Sequence, residues 1–178
     1  MPGKKKSTTE GLRSPESITE GHDLSTFDSG EPSLNDWLRR RALRNERSGG
    51  SRTYVVCTGR GDRVVGYYCL VAGAVAHAGA PGRVRRNMPD PIPVVVIGRL
   101  AVDGAFQGRG LGRAMLRDAI LRTIQAATIA GIRAILVHAV SEDARQFYER
   151  CGFHASPIDR MTLMVTVAEA ERALTGGK

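Results

Sequence analysis

Long apolar segments are missing from this 178-residue chain: no run reaches about 18 residues, so the sequence predicts no transmembrane helix and no membrane association. Basic residues in Met1-Pro-Gly-Lys-Lys-Lys-Ser7 precede no apolar segment, so we expect no secretory signal. Cys57, Cys69 and Cys151 are an odd number without metal-ligand spacing. We therefore expect them to pack as small hydrophobes in a cytoplasmic protein without a metal.

Aromatic residues are also scarce, at 5% of the chain. This scarcity argues against recognition of single-stranded bases by stacking. Positive charge is plentiful, with 26 Lys and Arg against 18 Asp and Glu, a net charge of +8 and a pI near 10.0. Such a balance favours a polyanionic partner that is bound through its phosphates.

Arginines concentrate in two clusters, which suits bidentate contact with phosphates. The first cluster comprises Arg39, Arg40, Arg41, Arg44 and Arg47, and the second comprises Arg83, Arg85 and Arg86. The alternative for the first cluster is a solvated helix face, with Glu46 as a partial partner. We find no arrangement of a nucleophile with His and Asp.

Hydrophobic periodicity predicts a mixed α/β chain with one domain over residues 21–175 and a disordered segment over residues 1–20. A first helix is expected to begin at Leu34, capped by Ser33, and to end at Gly49-Gly50. Further helices are expected over 110–130, after Ser141 as N-cap, and at the C-terminus. Strands are predicted over 53–57, 64–74, 93–102, 134–140 and 161–167.

A glycine turn joins a predicted strand to a predicted helix. Arg99-Leu-Ala-Val-Asp103 precedes Gln107-Gly-Arg-Gly-Leu-Gly-Arg113. In such a turn backbone N–H groups point at one anion, and the helix adds the positive end of its dipole. A diphosphate fits, with Arg109 and Arg113 beside it. The spacing is neither G-x-G-x-x-G nor G-x-x-x-x-G-K-[ST]. The alternative is a tight strand–helix turn that simply needs glycine.

A second motif follows about thirty residues later, Ser141-Glu-Asp-Ala-Arg-Gln-Phe-Tyr-Glu-Arg-Cys-Gly-Phe153. Together the two motifs resemble the GNAT superfamily of N-acetyltransferases, and the resemblance extends from about Ser25 to Leu174. It implies the GNAT fold, a central mixed twisted sheet with a splayed parallel strand pair and flanking helices. It also implies acetyl-CoA as co-substrate. The residues that this resemblance places at the coenzyme are Leu100, Ala101, Val102, Gln107, Gly108, Arg109, Gly110, Leu111, Gly112, Arg113, Ser141 and Phe147.

Several further segments resemble the toxin GNATs of bacterial toxin–antitoxin pairs. They are Phe27-Asp28-Ser29-Gly30, Asp36-Trp37-Leu38, Ser51-Arg52-Thr53, Met88-Pro-Asp-Pro-Ile-Pro-Val94, Gly98-Arg99-Leu100-Ala101, Phe147-Tyr148 and Met161-Thr162-Leu163-Met164. This resemblance implies acetylation of the amino acid on charged tRNA, which stops translation. It also implies a homodimer and a ribbon-helix-helix antitoxin that neutralises the toxin and binds operator DNA.

The implied reaction needs a neutral amine beside a thioester. An α-amino group has a pKa of about 7.7–8.0, and esterification of the neighbouring carboxyl lowers it, so the need for a general base is small. The leaving thiolate benefits from a proton donor, for which Tyr148 is the candidate by its family position. The alternative for Tyr148 is packing beside Phe147. His138 is expected to be a core histidine, with contact with the active site as the alternative.

The resemblance gives the arginines a role as contacts to the tRNA backbone. The residues predicted for this role are Arg39, Arg40, Arg44, Arg83, Arg85, Arg86 and Arg99. For Arg99 a structural ion pair is the alternative. Two rival functions remain: a GNAT that acetylates a protein N-terminus, a ribosomal protein or a small amine, and a binding module that keeps the coenzyme fold without chemistry. Ser141 stands where many GNATs carry Asn, so it offers fewer donors to the pantetheine arm.

Overall fold

The computed structural model describes residues 11–176, which form seven strands and six α-helices. The strands are β1 (Glu16–Ser17), β2 (Arg52–Cys57), β3 (Val64–Val75), β4 (Ile92–Val102), β5 (Ala134–His138), β6 (His154–Ala155) and β7 (Thr162–Thr166). The helices are α1 (Pro32–Trp37), α2 (Leu43–Ser48), α3 (Gly82–Arg85), α4 (Leu111–Ala127), α5 (Glu142–Arg150) and α6 (Val167–Thr175). The π-helical turn Leu38–Ala42 joins α1 to α2, and short 3₁₀ turns cover His77–Gly79 and Gly104–Phe106.

The strands form one mixed sheet in the order β1-β2-β3-β4-β5-β7-β6. β4 and β5 are parallel and are connected through α4, because parallel strands need a crossover connection. Their register pairs Val94–Ile97 with Ala134–Val137, and β4 continues beyond this pairing to Val102. The mixed α/β prediction with a parallel strand pair is confirmed.

The chain divides into two compact units. Unit 1 comprises the described residues up to Cys69 together with Arg99–Asp118, and unit 2 comprises Leu70–Gly98 with the described residues from Ala119. Because β3, β4 and α4 each contribute residues to both, the division follows contacts rather than the order of elements along the chain.

The core of unit 1 is organised around Tyr67, which is fully buried. Trp37 stacks on the Tyr67 ring at 5.9 Å between centroids, and Phe27 meets it edge-on at 5.5 Å. Such aromatic pairs add stability beyond the burial of their area. The Tyr67 hydroxyl donates to the Leu34 carbonyl at 2.7 Å, so its polar atom is satisfied. This packing fixes the helical segment 32–48 within the unit.

Unit 2 has a separate apolar core on one face of its sheet, formed by Ala80, Val84, Ile92, Val94, Ala134, Leu136 and Met164. The β5–β7 register places His138 opposite Thr162 and Leu136 opposite Met164. Side chains alternate along a strand, so these four residues share the face that carries the core. That register also determines which polar groups meet at the end of β5.

The N-terminal prediction is corrected over residues 11–20. Glu16–Ser17 pairs with β2, and Ile18 is 3% exposed within the unit 1 core. The segment is polar, and one buried isoleucine with a two-residue strand gives almost no hydrophobic periodicity. Composition therefore predicted disorder for residues 11–20, which was wrong. Residues 1–10 of the predicted disordered segment lie outside the described residues.

Several helix and strand boundaries also differ from the prediction; α4, for example, covers Leu111–Ala127 and not residues 110–130. α1 begins at Pro32 with Glu31 as N-cap, and the Ser33 hydroxyl donates to Glu31 instead of capping. Proline at the first helical position is favourable because its missing N–H would have no partner there. β5 ends at His138 rather than at residue 140. By contrast, Gly49 ends α2 in the left-handed conformation, as predicted. No helix of the described chain is long and apolar enough to span a bilayer.

Candidate active site

The glycine turn in unit 1 has the backbone geometry that the sequence predicts. Gly108 and Gly110 have φ angles of +73° and +83°, in the left-handed region. A Cβ at either position would meet no atom within 4 Å, so glycine is required by conformation and not by space. The turn leads into α4 at Leu111, where the first N–H groups have no partner in the helix. An anion fits at this end of α4.

Hydrogen bonds hold the glycine turn in place. The Gln107 side-chain amide donates to the Ser29 carbonyl at 2.9 Å, and it also donates to the end of β4. Asp103, which is 4% exposed, accepts from the N–H groups of Ala105 and Asp28 at 3.0 and 3.1 Å. Gln107 therefore positions the turn through its side chain. Asp103 is a positioning residue that the sequence analysis missed, although its place just after the apolar strand could have indicated a cap.

Positive charge surrounds the same turn. Arg109 is exposed, and its guanidinium carbon lies 5.7 Å from the centroid of the Phe106 ring. Arg113 is exposed on the first turn of α4. Gly112 lies within this first turn as well. A Cβ added to it would lie 3.8 Å from a Val102 methyl group. The turn thus combines backbone donors with arginine side chains, as a diphosphate requires.

The β4 residues before the turn lie beyond its pairing with β5. Leu100 and Val102 are half-buried, and Ala101 is buried in the unit 1 core. The described pairing of β4 with β5 stops at Ile97. On the side of β4 that faces β5, backbone groups beyond this pairing have no partner in β5 and can bind amide groups of a ligand.

A cavity of about 270 Å³ in unit 1 contains Arg99. Its guanidinium carbon lies 4.6 Å from the Trp37 ring centroid, a cation–π arrangement. The described residues show no ion pair for Arg99, so the structural ion pair considered above is absent from this part of the chain. The lining residues are Ser33, Asp36, Trp37, Arg40, Arg41 and Arg99.

Members of the first arginine cluster have different surroundings. Arg39 donates to the Phe27 carbonyl at 2.7 Å and is thereby held against its own unit. Arg44 is exposed and, like Arg40, forms no hydrogen bond or ion pair with the described residues. Glu46 is not a partner of the cluster, because it accepts from Arg52 and from the Thr53 N–H. The cluster therefore has cations available to a ligand.

The second arginine cluster, in unit 2, has one tethered member. Arg83 donates to Glu169 at 2.8 Å and contacts His154 at 3.0 Å. Arg85 and Arg86 are exposed and form no ion pair within the described part of the chain. Arg83 thus stabilises the start of α6, while its two neighbours are open to solvent.

Tyr148 is the buried titratable residue of α5 in unit 2. It is 6% exposed, between Phe147 and Phe153, whose ring centroids lie 5.2 and 5.6 Å from its own. Burial raises the pKa of its hydroxyl well above the ordinary value, and Cys151 adds to this effect. No described residue hydrogen-bonds the hydroxyl. The group is therefore a phenol near neutral pH, and the raised pKa makes it a weaker acid than a solvent-exposed tyrosine.

The start of α5 confirms the predicted cap. Ser141 is the N-cap, and its Oγ accepts from the Ala144 N–H at 3.1 Å. One hydroxyl proton remains for donation to a ligand. Glu142 and Asp143 follow in the first turn, where negative charge favours the helix dipole. Phe147 is half-buried on the same helix.

His138 departs from its prediction. It is exposed at the end of β5, not buried in the core, because β5 ends at this residue. Its Nδ1 lies 2.9 Å from the Thr162 hydroxyl. The apolar run of four residues before His138 led the sequence pattern to predict a longer strand than β5.

One described group brings metal-ligand atoms together: Glu16, His22 and Cys57, within 4.8 Å of one another. Glu16 already accepts from Arg13 at 2.8 Å and contacts His22 at 2.9 Å. Burial raises the pKa of the Cys57 thiol, which disfavours the thiolate that a metal needs. We interpret the group as an ion-paired network, and the absence of a metal stays a prediction.

Comparison with known proteins identifies the family. A family model described as the acetyltransferase (GNAT) domain matches residues 49–155. The chain belongs to the GNAT acetyltransferases. The matched range covers more than half of the chain and includes both the glycine turn and α5.

Relatives of this GNAT acetyltransferase cover nearly its whole length. A tRNA-acetylating toxin of Mycobacterium tuberculosis is 56% identical over 166 residues, 93% of this chain and 98% of the relative. The structure of AtaT with acetyl-methionyl-tRNAfMet has a TM-score of 0.84 and 30% identity, covering 92% of this chain and 99% of that one. The structure of an AtaT tyrosine-to-phenylalanine mutant with acetyl-CoA and the C-terminus of the antitoxin AtaR has a TM-score of 0.80 and 29% identity. The match covers 93% of this chain and 99% of that one.

Proposed function

We propose that this GNAT acetyltransferase is the toxin of a toxin–antitoxin pair, and that it transfers acetyl from acetyl-CoA to the α-amino group of charged tRNA. The observation that carries the proposal is the 56% identity to a tRNA-acetylating toxin across 98% of that relative. An N-acetylated aminoacyl-tRNA has no free amine for peptide bond formation, so translation stops. Residues 21–175 would form the catalytic domain.

Acetyl-CoA is the proposed co-substrate, and the residues present fit it. The N–H groups of the turn and of α4 suit the diphosphate, with Gly108 and Gly110 providing the conformation and Arg109 and Arg113 the charge. Backbone groups of Leu100–Val102 suit the pantetheine amides and polarise the acetyl carbonyl. The AtaT neighbour that is solved with acetyl-CoA supports this assignment.

Two residues of α5 and its cap complete the proposed coenzyme contacts. Ser141 would donate its remaining proton to the pantetheine arm, since its oxygen lone pair serves the helix cap. Phe147 would contact the coenzyme through its exposed ring edge. Gln107 and Leu111 act on the same ligand indirectly, by holding the turn and the first turn of α4.

Tyr148 is the proposed general acid. The neutral amine attacks the acetyl carbonyl carbon, the C–N bond forms and the C–S bond breaks, and the Tyr148 hydroxyl gives its proton to sulfur. The proton that the nitrogen loses as the amide forms returns Tyr148 to the phenol through solvent. The place of Tyr148 on α5, within the motif that follows the Ser141 cap, supports this role.

Charged tRNA would be held by arginines through its phosphates. The exposed and unpaired members, Arg40, Arg44, Arg85 and Arg86, are the strongest contributors, with Arg99 at the cavity of unit 1. Arg39 is hydrogen-bonded to the Phe27 carbonyl and Arg83 to Glu169, so these two would contribute positive charge from fixed positions. The AtaT structure with acetyl-methionyl-tRNA supports tRNA as the ligand class.

The proposed partners follow from the same relatives. We expect a ribbon-helix-helix antitoxin that neutralises the toxin and binds operator DNA, a homodimer of this chain, and action in the cytoplasm, where translation takes place. AtaT has been solved with the C-terminus of its antitoxin AtaR. A gene for a small DNA-binding protein beside this one would support the pairing.

The proposal is tested by transfer of labelled acetyl from acetyl-CoA to total charged tRNA, with deacylated tRNA as control. Label on the charged pool alone is expected, and sequencing of the labelled pool then identifies the tRNA. If acetyl-CoA binds but no label reaches charged tRNA, the proposal is wrong. Label on a protein N-terminus, a ribosomal protein or a small amine would then identify that class as the substrate. Acetyl-CoA binding without any turnover would indicate a binding module.

A further inference from the structure

Unit 2 contains a cavity of about 280 Å³ that the proposed coenzyme contacts do not use. Aliphatic side chains form much of its wall, among them Val75, Val96 and Leu136, and small residues at Gly73 and Ala74 leave it room. His138 and Asp159 are its titratable lining residues. A ligand with an uncharged organic part and one ionisable group fits such a lining.

A chain of hydrogen bonds determines the tautomer of His138. The Thr162 hydroxyl donates its one proton to Asp159 Oδ2 at 2.8 Å. Its contact with His138 Nδ1, at 2.9 Å, therefore requires Nδ1 to be the donor. In the neutral ring Nε2 then carries the lone pair and accepts a proton.

The surroundings of His138 leave Nε2 without a partner among the described residues. No hydrogen bond joins Nε2 to another described residue, and the side chain is exposed at the end of β5. Asp159 accepts from the Met161 N–H and from Thr162, and both contacts lower the pKa of its carboxyl. A carboxylate that stays ionised keeps the Thr162 proton, so the Thr162 oxygen remains an acceptor for His138 Nδ1–H.

Other elements packed around the cavity bring no competing charge. β3 contributes Gly73–Val75, β4 contributes Val96 and β7 contributes Thr162, none of which titrates. The loop before β7 contributes Asp159, together with Ser156 and the exposed Ile158. Asp159 is thus the one charged group among the described lining residues that faces His138.

We propose that His138 is the general base of the transfer and that this cavity receives the aminoacyl end of charged tRNA. The inference rests on the proposed function. Nε2 takes one proton from the α-ammonium, which leaves a neutral amine for attack, and passes the proton to water. The second nitrogen proton, lost as the amide forms, balances the one that the thiolate receives. Thr162 and Asp159 are positioning residues that hold Nδ1–H and so keep the lone pair of the neutral ring on Nε2.

The test compares wild type with His138→Ala and His138→Gln across pH, using charged tRNA and labelled acetyl-CoA. At pH 6.5 we expect kcat to fall about tenfold or more in both variants, with acetyl-CoA binding unchanged. The defect should shrink as pH rises, because the substrate amine then loses its proton without a base. Added imidazole should restore part of the rate to His138→Ala only, since glutamine fills the space.

Matched variants separate this role from a structural one. Thr162→Val removes the hydrogen-bond chain but keeps the shape, and should reproduce part of the pH-dependent loss. His22→Gln changes a histidine of unit 1 that contacts Glu16, and should leave the rate unchanged.

The outcomes also separate the inference from the proposed function. Equal rates for wild type and both His138 variants at every pH, with charged tRNA still acetylated, would overturn the inference alone. A pH-independent loss with no rescue by imidazole would overturn it as well. No acetylation of charged tRNA by wild type would overturn the proposed function.

Discussion

The two units carry different kinds of chemistry. Unit 1 presents backbone N–H groups, left-handed glycines and exposed arginines, all of which suit the phosphates of a ligand. Unit 2 presents titratable side chains, a buried phenol at Tyr148 and a hydrogen-bonded imidazole at His138. Binding depends on many weak donors that can be lost one at a time, whereas proton transfer depends on single groups. Changes at Tyr148 or His138 should therefore affect turnover, and changes at the glycine turn or at the exposed arginines of unit 1 should affect affinity.

The largest expected effect tests the catalytic side of this comparison. Tyr148→Phe removes one oxygen atom and keeps the ring between Phe147 and Phe153. We expect turnover to fall about 100-fold or more, with acetyl-CoA affinity unchanged, because only the proton donor is lost. Rate measurements with charged tRNA, beside calorimetric titration with acetyl-CoA, check both. Tyr54→Phe is the control. If turnover is unchanged in Tyr148→Phe, Tyr148 is not the general acid.

A smaller effect is expected from the arginines of unit 1. Reversal of charge at Arg40 and Arg44 together should weaken tRNA affinity about tenfold and flatten its dependence on salt, because phosphate contacts release counterions. Binding measurements over a range of salt concentrations check this. Arg60→Glu with Arg172→Glu makes the same change in net charge at exposed arginines outside both clusters. If both double variants lose affinity equally, the effect is one of net charge and not of a site.

The glycine turn should respond more weakly still. Gly110→Ala places a Cβ on a backbone with φ of +83°, at a cost of about 1 kcal/mol. This corresponds to about fivefold weaker acetyl-CoA binding if the turn shifts to relieve the strain. Gly131→Ala is the control, since a Cβ there meets nothing within 4 Å and φ is not positive. Unchanged affinity in the Gly110 variant would contradict a role for the turn geometry.

The smallest effect concerns stability in unit 2. Burial opposes the ionisation of Glu169, but its bonds with Thr166 and Arg83 prevail and lower its pKa below the usual 4.5. A carboxyl whose pKa is lowered by folding stabilises the protein above that value, and the contribution disappears as pH falls through the folded pKa. Glu169→Gln should therefore cost about 0.5 kcal/mol at pH 7 and less near pH 4.

Denaturant unfolding at the two pH values measures this difference. Glu171→Gln, on the same helix but exposed, is the matched control and should change stability by less. A gap between wild type and Glu169→Gln that grows as pH falls would contradict the assigned sign.

The sequence predicted the parts of the site that depend on local rules. The glycines of the turn, the Ser141 cap and the burial of Tyr148 follow from residue type and spacing over a few positions. It failed where a distant contact decides the outcome. Residues 11–20 are ordered by pairing with β2, and Glu46 serves Arg52 and Thr53 rather than the arginine cluster.

By itself, then, the sequence determined the mixed fold, the glycine turn before α4 and the family, because helix caps, left-handed glycines and apolar periodicity act within one element. Only the tertiary structure decided which arginines are open to a ligand and which are held, since Arg39 and Arg83 find their partners elsewhere in the chain. It also decided the state of His138. That state depends on a hydroxyl and a carboxylate that lie more than twenty residues away and meet it only through the pairing of β5 with β7.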